Sequence, residues 1–215
     1  MKRALIAGAT GLVGSYVLEQ LLSNENYAIV TAITRKPLSI QHNKLQNIVT
    51  DFDRLEEIAP QLGVDDVFCC LGTTIRKAGS QPAFRKVDFE YPLKLAQLTS
   101  QNGSQKFLLV TALGADASSR IFYNRVKGEV EEAIRNVGFP TLHIFRPSLL
   151  LGPRTEHRTA EDAAKWFYRV FGWLIPLRYK AIHAQTVARA MVHYARQPQK
   201  GVFIHESDEM QSFAV

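Results

Sequence analysis

The sequence predicts a three-layer α/β fold, in which a mostly parallel sheet carries helices on both faces. Three observations predict it. Short runs rich in β-branched residues alternate with longer amphipathic stretches along residues 3–146. The strand-like runs are apolar throughout, as strands buried on both faces require. Glycines cluster where the first of these runs gives way to the first helical stretch. Strand–helix–strand order of this kind implies right-handed crossovers between parallel neighbours.

Residues 3–7 read as a buried strand and 12–22 as a helix entered through glycines. A second strand spans 29–34 and a short third 48–50. Beyond it, Asp53-Arg54-Leu55-Glu56 has the spacing of a helix start, with Asp53 as cap and Glu56 three residues on. Residues 66–71 make a fourth strand, 91–101 the core of a long helix, 107–111 a fifth strand, 123–136 a helix and 142–146 a sixth strand. After Arg146-Pro147 the alternation loosens. Residues 149–153 read as a loop, 160–171 and 186–196 as helices, and 202–205 as a last strand. Val187, Met191 and Tyr194 share one stripe of the 186–196 helix and are expected in the core. His183 and His193 are expected at the surface or as caps. No repeat or linker interrupts the chain, and 215 residues bury one sizeable core. One domain over residues 1–215 is expected, with 147–215 contributing a small C-terminal cap on the substrate side.

A composition of 46% hydrophobic and 21% charged residues excludes a disordered or fibrous chain. The formal charge of +6 comes from 26 Lys and Arg against 20 Asp and Glu. These basic residues are scattered, which reads as a modestly basic surface and not a nucleic-acid partner. Cys69 and Cys70 are adjacent in a strand, point to opposite faces and are poorly placed for a bridge. They read as reduced core thiols of a cytoplasmic protein. The histidines show neither HxH nor HExxH spacing, so no metal is expected. The apolar start is broken by Gly8, Gly11 and Gly14, unlike a secretory signal core. No run reaches the roughly eighteen apolar residues of a membrane span, and a soluble protein is expected.

Gly8-Ala9-Thr10-Gly11-Leu12-Val13-Gly14 occupies the turn between the first strand and first helix. Glycines there permit a tight turn, let the backbone approach a pyrophosphate and let helix and strand pack closely. The free N–H groups of the helix start then face the phosphates. This is the dinucleotide site of a Rossmann fold. The second strand ends in Thr34-Arg35-Lys36, where an NAD-preferring site carries an acid. Guanidinium and ammonium groups there suit a 2′-phosphate, so NADP(H) is the expected cofactor. Asp51-Phe52 stands where an adenine would rest, with Asp51 either accepting from the adenine amino group or capping a turn. Leu71, Gly72 and Thr73 follow the fourth strand at the carboxyl edge, where ligands of open α/β sheets collect.

Tyr123 and Lys127 lie four residues apart and share one helix face. A phenol beside an ammonium suits proton transfer to or from a carbonyl or hydroxyl oxygen. The lysine can also bind the nicotinamide ribose, and Thr111, ending the fifth strand, can present a hydroxyl to the same oxygen.

These motifs resemble the atypical short-chain dehydrogenase/reductases. More narrowly, Phe68-Cys69-Cys70-Leu71-Gly72-Thr73-Thr74, Lys77-Ala78-Gly79, Gly114-Ala115-Asp116, Val126-Lys127-Gly128-Glu129-Val130-Glu131 and Phe145-Arg146-Pro147 resemble the Tat-interacting-protein-type subgroup, which is NmrA-like. The likeness covers nearly the whole chain and is thinnest after about residue 158. It implies NADPH binding by Thr10, Gly11, Leu12 and Val13, by Arg35 and Lys36, and by Leu71 and Gly72. It assigns Tyr123 as proton donor or acceptor with Lys127 on the ribose, and points to Pro147, Leu150 and Arg158 as further cofactor contacts. Where relatives carry serines after the fifth strand, this chain has Thr111-Ala112. The implied activity is hydride transfer between the nicotinamide and a small carbonyl or hydroxyl substrate. The alternative is an NADPH-sensing regulatory or protein-interaction module. An aromatic cluster around Trp166, Phe167, Phe171 and Trp173 fits a substrate pocket, a homodimer interface or a membrane surface.

Overall fold

The computed structural model describes residues 1–152 and 176–214. The helix expected over 160–171, the aromatic cluster and Arg158 lie outside the described residues. In chain order the strands are β1 (Lys2–Ala7), β2 (Tyr27–Thr34), β3 (Leu45–Val49), β4 (Asp66–Cys69), β5 (Lys106–Val110), β6 (Thr141–Arg146), β7 (Leu150–Leu151), β8 (Ile182–His183) and β9 (Gly201–Glu206). Seven of them form one sheet in the order β3-β2-β1-β4-β5-β6-β9, parallel at every pairing. β7 and β8 pair separately.

Successive residues of a strand point to opposite faces, and the two halves of the core follow that rule. Ala4, Ile6, Phe68, Leu108 and Phe145 pack against α1 (Leu12–Ser23) and α6 (Ala184–Ala195). Leu5, Ala7, Val67, Cys69, Phe107 and Leu109 pack on the other side, against α4 (Tyr91–Gln101) and α5 (Phe122–Arg135). Each large apolar side chain so buried contributes on the order of 1.5–3 kcal/mol. Val187 and Met191 are fully buried in this core, with Tyr194 partly buried beside them. The chain runs outward from β1 to β2 and β3, then returns to β4 on the opposite side of β1. That reversal opens a crevice at the carboxyl ends of β1 and β4. Among the described residues no helix is long and apolar enough to cross a membrane.

Four segments differ from the sequence reading. Residues 52–61 form a 3₁₀ stretch with non-helical angles at Arg54 and with Pro60 inside it. Its cap is Asp51, whose side chain accepts from the Asp53 N–H at 3.0 Å. Asp53, the expected cap, turns its carboxylate to Lys86 Nζ at 2.7 Å instead. After β4 come two short helices, α2 (Ile75–Ala78) and α3 (Gln81–Arg85), and a π-helical turn (Lys86–Glu90) that runs into α4. Gly79 and Pro82 in this region hide the helical period that the sequence reading picks up only at Tyr91. β7 falls within the stretch expected as a loop, and a terminal α7 (Ser207–Gln211) follows β9.

A chain of polar rings ties β6 and β9 to α7. His143 Nδ1 lies 2.9 Å from His205 Nε2, and His205 Nδ1 lies 2.8 Å from Glu209 Oε1. Glu209 also accepts from the Tyr194 hydroxyl at 2.6 Å. Because an ionised carboxylate only accepts, His205 donates to it through Nδ1 and accepts from His143 through Nε2. His143 Nε2 is then a buried acceptor with no partner. A second proton there would have nothing to bond, and burial, with His205 and Lys106 adding to it, pushes the His143 pKa down to about 4. In the unfolded chain the same group takes a proton near pH 6.5. The unfolded state therefore binds more protons across this window, and stability falls as the pH drops from about 6.5 toward 4. We expect the urea midpoint to fall between pH 7 and pH 4.5, and the fall to shrink in His143→Phe, which keeps a flat ring in the stack.

Candidate active site

Three backbone segments meet at the crevice. Gly8 follows β1 with φ of 88°, and a Cβ there would overlap the Cys70 carbonyl just past β4. Cys70 N–H donates to the Ala7 carbonyl at 2.8 Å, so the two strand ends lie side by side. The Gly8 carbonyl accepts from Gly11 N–H at 2.9 Å, closing the turn. A Cβ at Gly14, inside α1, would overlap that same carbonyl oxygen. Gly11 caps α1 without a side-chain hydrogen bond, and the first turn holds no acid. The first-turn amides are thus left open to an anion, reinforced by the helix dipole.

In front of them lies a cleft of about 560 Å³. Thr10, Gly11, Leu12 and Val13 form one wall, Leu71, Gly72 and Thr73 the adjoining one. Thr111, Tyr123, Lys127 and Leu150 also line it. The fold therefore gathers the glycine turn and the Tyr-Lys pair into one cavity, although more than a hundred residues separate them in the chain. The other candidates among the described residues stand outside its lining. Gly8 and Gly14 shape the turn from behind. Arg35 and Lys36 are exposed just past β2, where the Thr34 hydroxyl donates to the Lys36 carbonyl at 2.8 Å. Of the two readings of Asp51, the structure shows the cap. Phe52 points into the core, its ring 5.5 Å from that of Tyr91, so its side chain does not offer a face to an adenine. Pro147 is buried, and its carbonyl accepts from Leu113 N–H at 2.9 Å.

Lys127 is 4% exposed and its Nζ lies 2.7 Å from Oδ1 of Asp88, itself 1% exposed. Burial alone lowers the pKa of Lys127, but the Asp88 charge, helped by Tyr123, overrides it and the net shift is upward. Burial pushes Asp88 up, against the opposing pull of Lys127. The other carboxylate oxygen of Asp88 accepts from Thr73 N–H at 2.9 Å. Burial also raises the Cys69 thiol to about 12, so it is unreactive beneath the pair. The Tyr123 ring packs 5.4 Å from that of Phe84, which holds the phenol in the cleft.

Thr111 reaches the cleft, but its hydrogen is spent elsewhere. The hydroxyl donates to Glu131 Oε1 at 2.6 Å, with the Phe145 carbonyl at 3.3 Å. The sequence has this hydroxyl presented to the substrate oxygen, whereas in the structure it donates to Glu131. Glu131 is buried and also receives the Arg146 guanidinium, which reaches on to Glu206 at 3.2 Å. Arg146 thus ties the ends of β6, β9 and α5 together. Gly128, the residue after Lys127, has the backbone of Asp116 and Ala117 where a Cβ would stand. A glycine inside a helix costs about 1 kcal/mol, and here it allows the loop after β5 to lie against α5. Sequence reasoning missed Asp88, together with Ser15, Tyr16, Arg76 and Lys77 of the lining. The lone carboxylate of Val87-Asp88-Phe89, between apolar residues, was the available signal for the first.

Gly8 and Gly79 both have φ above 80°, but Gly79 has nothing within 4 Å of a built Cβ. We expect Gly79→Ala to cost only about 1–2 kcal/mol of backbone strain. Gly8→Ala adds overpacking against Cys70 and is expected to cost at least about 1–3 kcal/mol more. Urea denaturation of the two variants measures the difference, and equal midpoints would refute the close approach.

The family model described as NAD(P)H-binding matches residues 8–198. Protein HTATIP2 of Rattus norvegicus is 39% identical over 207 residues, covering 93% of this chain and 84% of that protein. Protein FMP52, mitochondrial, of Debaryomyces hansenii is 34% identical over 202 residues, covering 91% of this chain and 88% of its own length. Among solved structures, Bordetella bronchiseptica WbmH in complex with NAD+ aligns with a TM-score of 0.72 at 16% identity, over 96% of this chain and 76% of that one. MoeE5 in complex with UDP-glucose and NAD aligns at 0.70 and 16%, over 98% and 80%. These two likenesses show the Rossmann fold. The cytoplasmic placement expected above is overturned, because the FMP52 relatives are named mitochondrial. Unbridged adjacent cysteines show only that no disulfide joins them. The chain belongs to the NAD(P)H-binding Rossmann family, among the relatives of HTATIP2 and FMP52.

Proposed function

We propose that the chain is an NADP(H)-dependent oxidoreductase acting on a small carbonyl or hydroxyl substrate. The observation that carries this reading is the shared cleft: Tyr123 and Lys127 line the cavity that opens on the glycine turn. The residues fit a dinucleotide. Gly8 and Gly14 leave a backbone cradle that any Cβ would fill, and the amides at the start of α1 meet no acidic side chain. When bound, the nicotinamide supplies or accepts the hydride. Tyr123 delivers or removes the proton of the substrate oxygen, and the Lys127 ammonium stabilises the negative charge that develops on the phenol. Lys127 also holds the ribose hydroxyls. Thr111 serves as wall, with its hydrogen on Glu131. Arg35 and Lys36 stand just past β2, where an NAD-preferring site carries an acid, which favours NADP(H) over NAD(H). The chain acts as one unit, in which α6 and β9 join the helix layer and the central sheet.

A second reading, an NADPH-sensing module that engages a regulatory partner, is favoured by the committed Thr111 hydrogen. Two measurements separate them. In a titration followed by nicotinamide fluorescence, we expect NADPH to bind more tightly than NADH, with Arg35→Ala erasing most of the difference. In a screen of carbonyl substrates, Tyr123→Phe is expected to lower kcat by at least about 10²-fold while keeping NADPH affinity. Undiminished turnover in that variant would refute the catalytic assignment. A protein partner captured only with NADPH, and no turnover with any carbonyl, would select the second reading.

A further inference from the structure

We infer that the substrate carries an anionic group, a carboxylate or a phosphate, and that Lys77 receives that group at the rim of the cleft. The inference rests on the cofactor reading above and deepens it, because it assigns a substrate class to the same cavity.

The charges that line the cavity do not balance. Among the described lining residues the cations are Arg76, Lys77 and Lys127, and Asp88 is the one carboxylate. Asp88 is buried and lies 2.7 Å from Lys127 Nζ, so the two are neutral as a unit. Lys77 forms no ion pair with a carboxylate of the described residues. The amides at the start of α1, on another wall of the same cleft, meet no acidic side chain and add positive potential.

Lys77 is fixed at this rim. It belongs to α2, a single turn clipped at both ends. The Thr74 hydroxyl accepts from Lys77 N–H at 3.1 Å. Gly79, with φ of 82°, donates its N–H to the Ile75 carbonyl at 3.0 Å. α3 follows at once, capped by the Ser80 hydroxyl, which accepts from Ala83 N–H at 3.2 Å. The backbone of Lys77 is therefore held while the residue stays exposed. An exposed ion pair is weak in open water, but a cleft with low-dielectric walls focuses the field of its cations on an incoming anion.

The cofactor leaves this cation for a second ligand. On the reading above, its pyrophosphate lies on the α1 amides and its 2′-phosphate at Arg35 and Lys36, outside the lining. The lysine is also near enough to the reacting groups. A Cβ at Gly72 would lie 3.7 Å from Lys127 Nζ, which places this backbone beside the Tyr-Lys pair. Gly72 to Ile75 spans at most about 11 Å of extended chain, and two further residues of α2 add about 3 Å. A small molecule with its reacting oxygen at Tyr123 can therefore set an anionic end against Lys77.

Calorimetry on the whole protein saturated with NADP+, which cannot reduce a ketone, tests this. The probes are 4-acetylbenzoate and its uncharged methyl ester. The acid should bind the wild type at least about fivefold more tightly than the ester, and the preference should shrink in about 0.5 M salt. Lys77→Gln should bring the two within about twofold, and Lys77→Arg should keep the preference. Equal binding of acid and ester to the wild type, no binding of either, or a preference that survives Lys77→Gln overturns the inference. NADP+ affinity is measured for each variant and should stay within about twofold of the wild type, because the lysine serves the second ligand. A fall of fivefold or more in Lys77→Gln would assign the lysine to the cofactor's phosphates and also overturn it. A wild type that binds no NADP+ refutes the cofactor reading itself, before either probe is added.

Discussion

The structure depends on a place where three backbones come too close for any side chain. β1, β4 and the first turn of α1 converge on Gly8, whose carbonyl meets Gly11 and crowds Gly14 while its Cα faces the Cys70 carbonyl. With no Cβ at these positions, α1 packs directly onto the strand ends and presents its amides at the carboxyl edge of the sheet. The strand order reverses across β1 and β4, so the same contact decides where the crevice opens. The remaining features of the cleft are side chains that other elements deliver to that opening.

Those side chains are held by charge more than by apolar packing. Lys127 with Asp88, and Arg146 with Glu131, are pairs buried at the carboxyl ends of the central strands. A buried ion pair adds little stability over an apolar pair of the same size, whereas losing one partner is costly. Their value is positional: one joins α5 to the π-helical turn before α4, the other joins α5 to the end of β6. Cys69, Val126 and Val130 pack near them and are fully or almost fully buried. That packing lets a small number of polar groups define the shape of the cavity.

Much of this was legible in the sequence because it rests on local patterns. Apolar runs set the strands, and the glycines mark the turn that no other residue type fits. The i,i+4 spacing places Tyr123 and Lys127 on one face of α5. What was not legible came from longer-range or irregular geometry. Asp88 belongs to a π-helical turn whose register an α-helical period cannot reveal. The capping role passed from Asp53 to Asp51 because Pro60 and the bend at Arg54 favour a 3₁₀ path. Phe52 reads as standing beside an adenine, but its ring is buried against that of Tyr91. Thr111 carries the expected hydroxyl, and only the fold shows that Glu131, twenty residues on, takes its hydrogen.

The most direct test of the account is the crystal structure of the protein with NADP+. The account predicts the pyrophosphate on the open amides at the start of α1, with the nicotinamide ribose over Gly72 and within hydrogen-bond reach of Lys127. A cofactor seated away from the glycine turn, or one whose ribose does not reach Lys127, would contradict it.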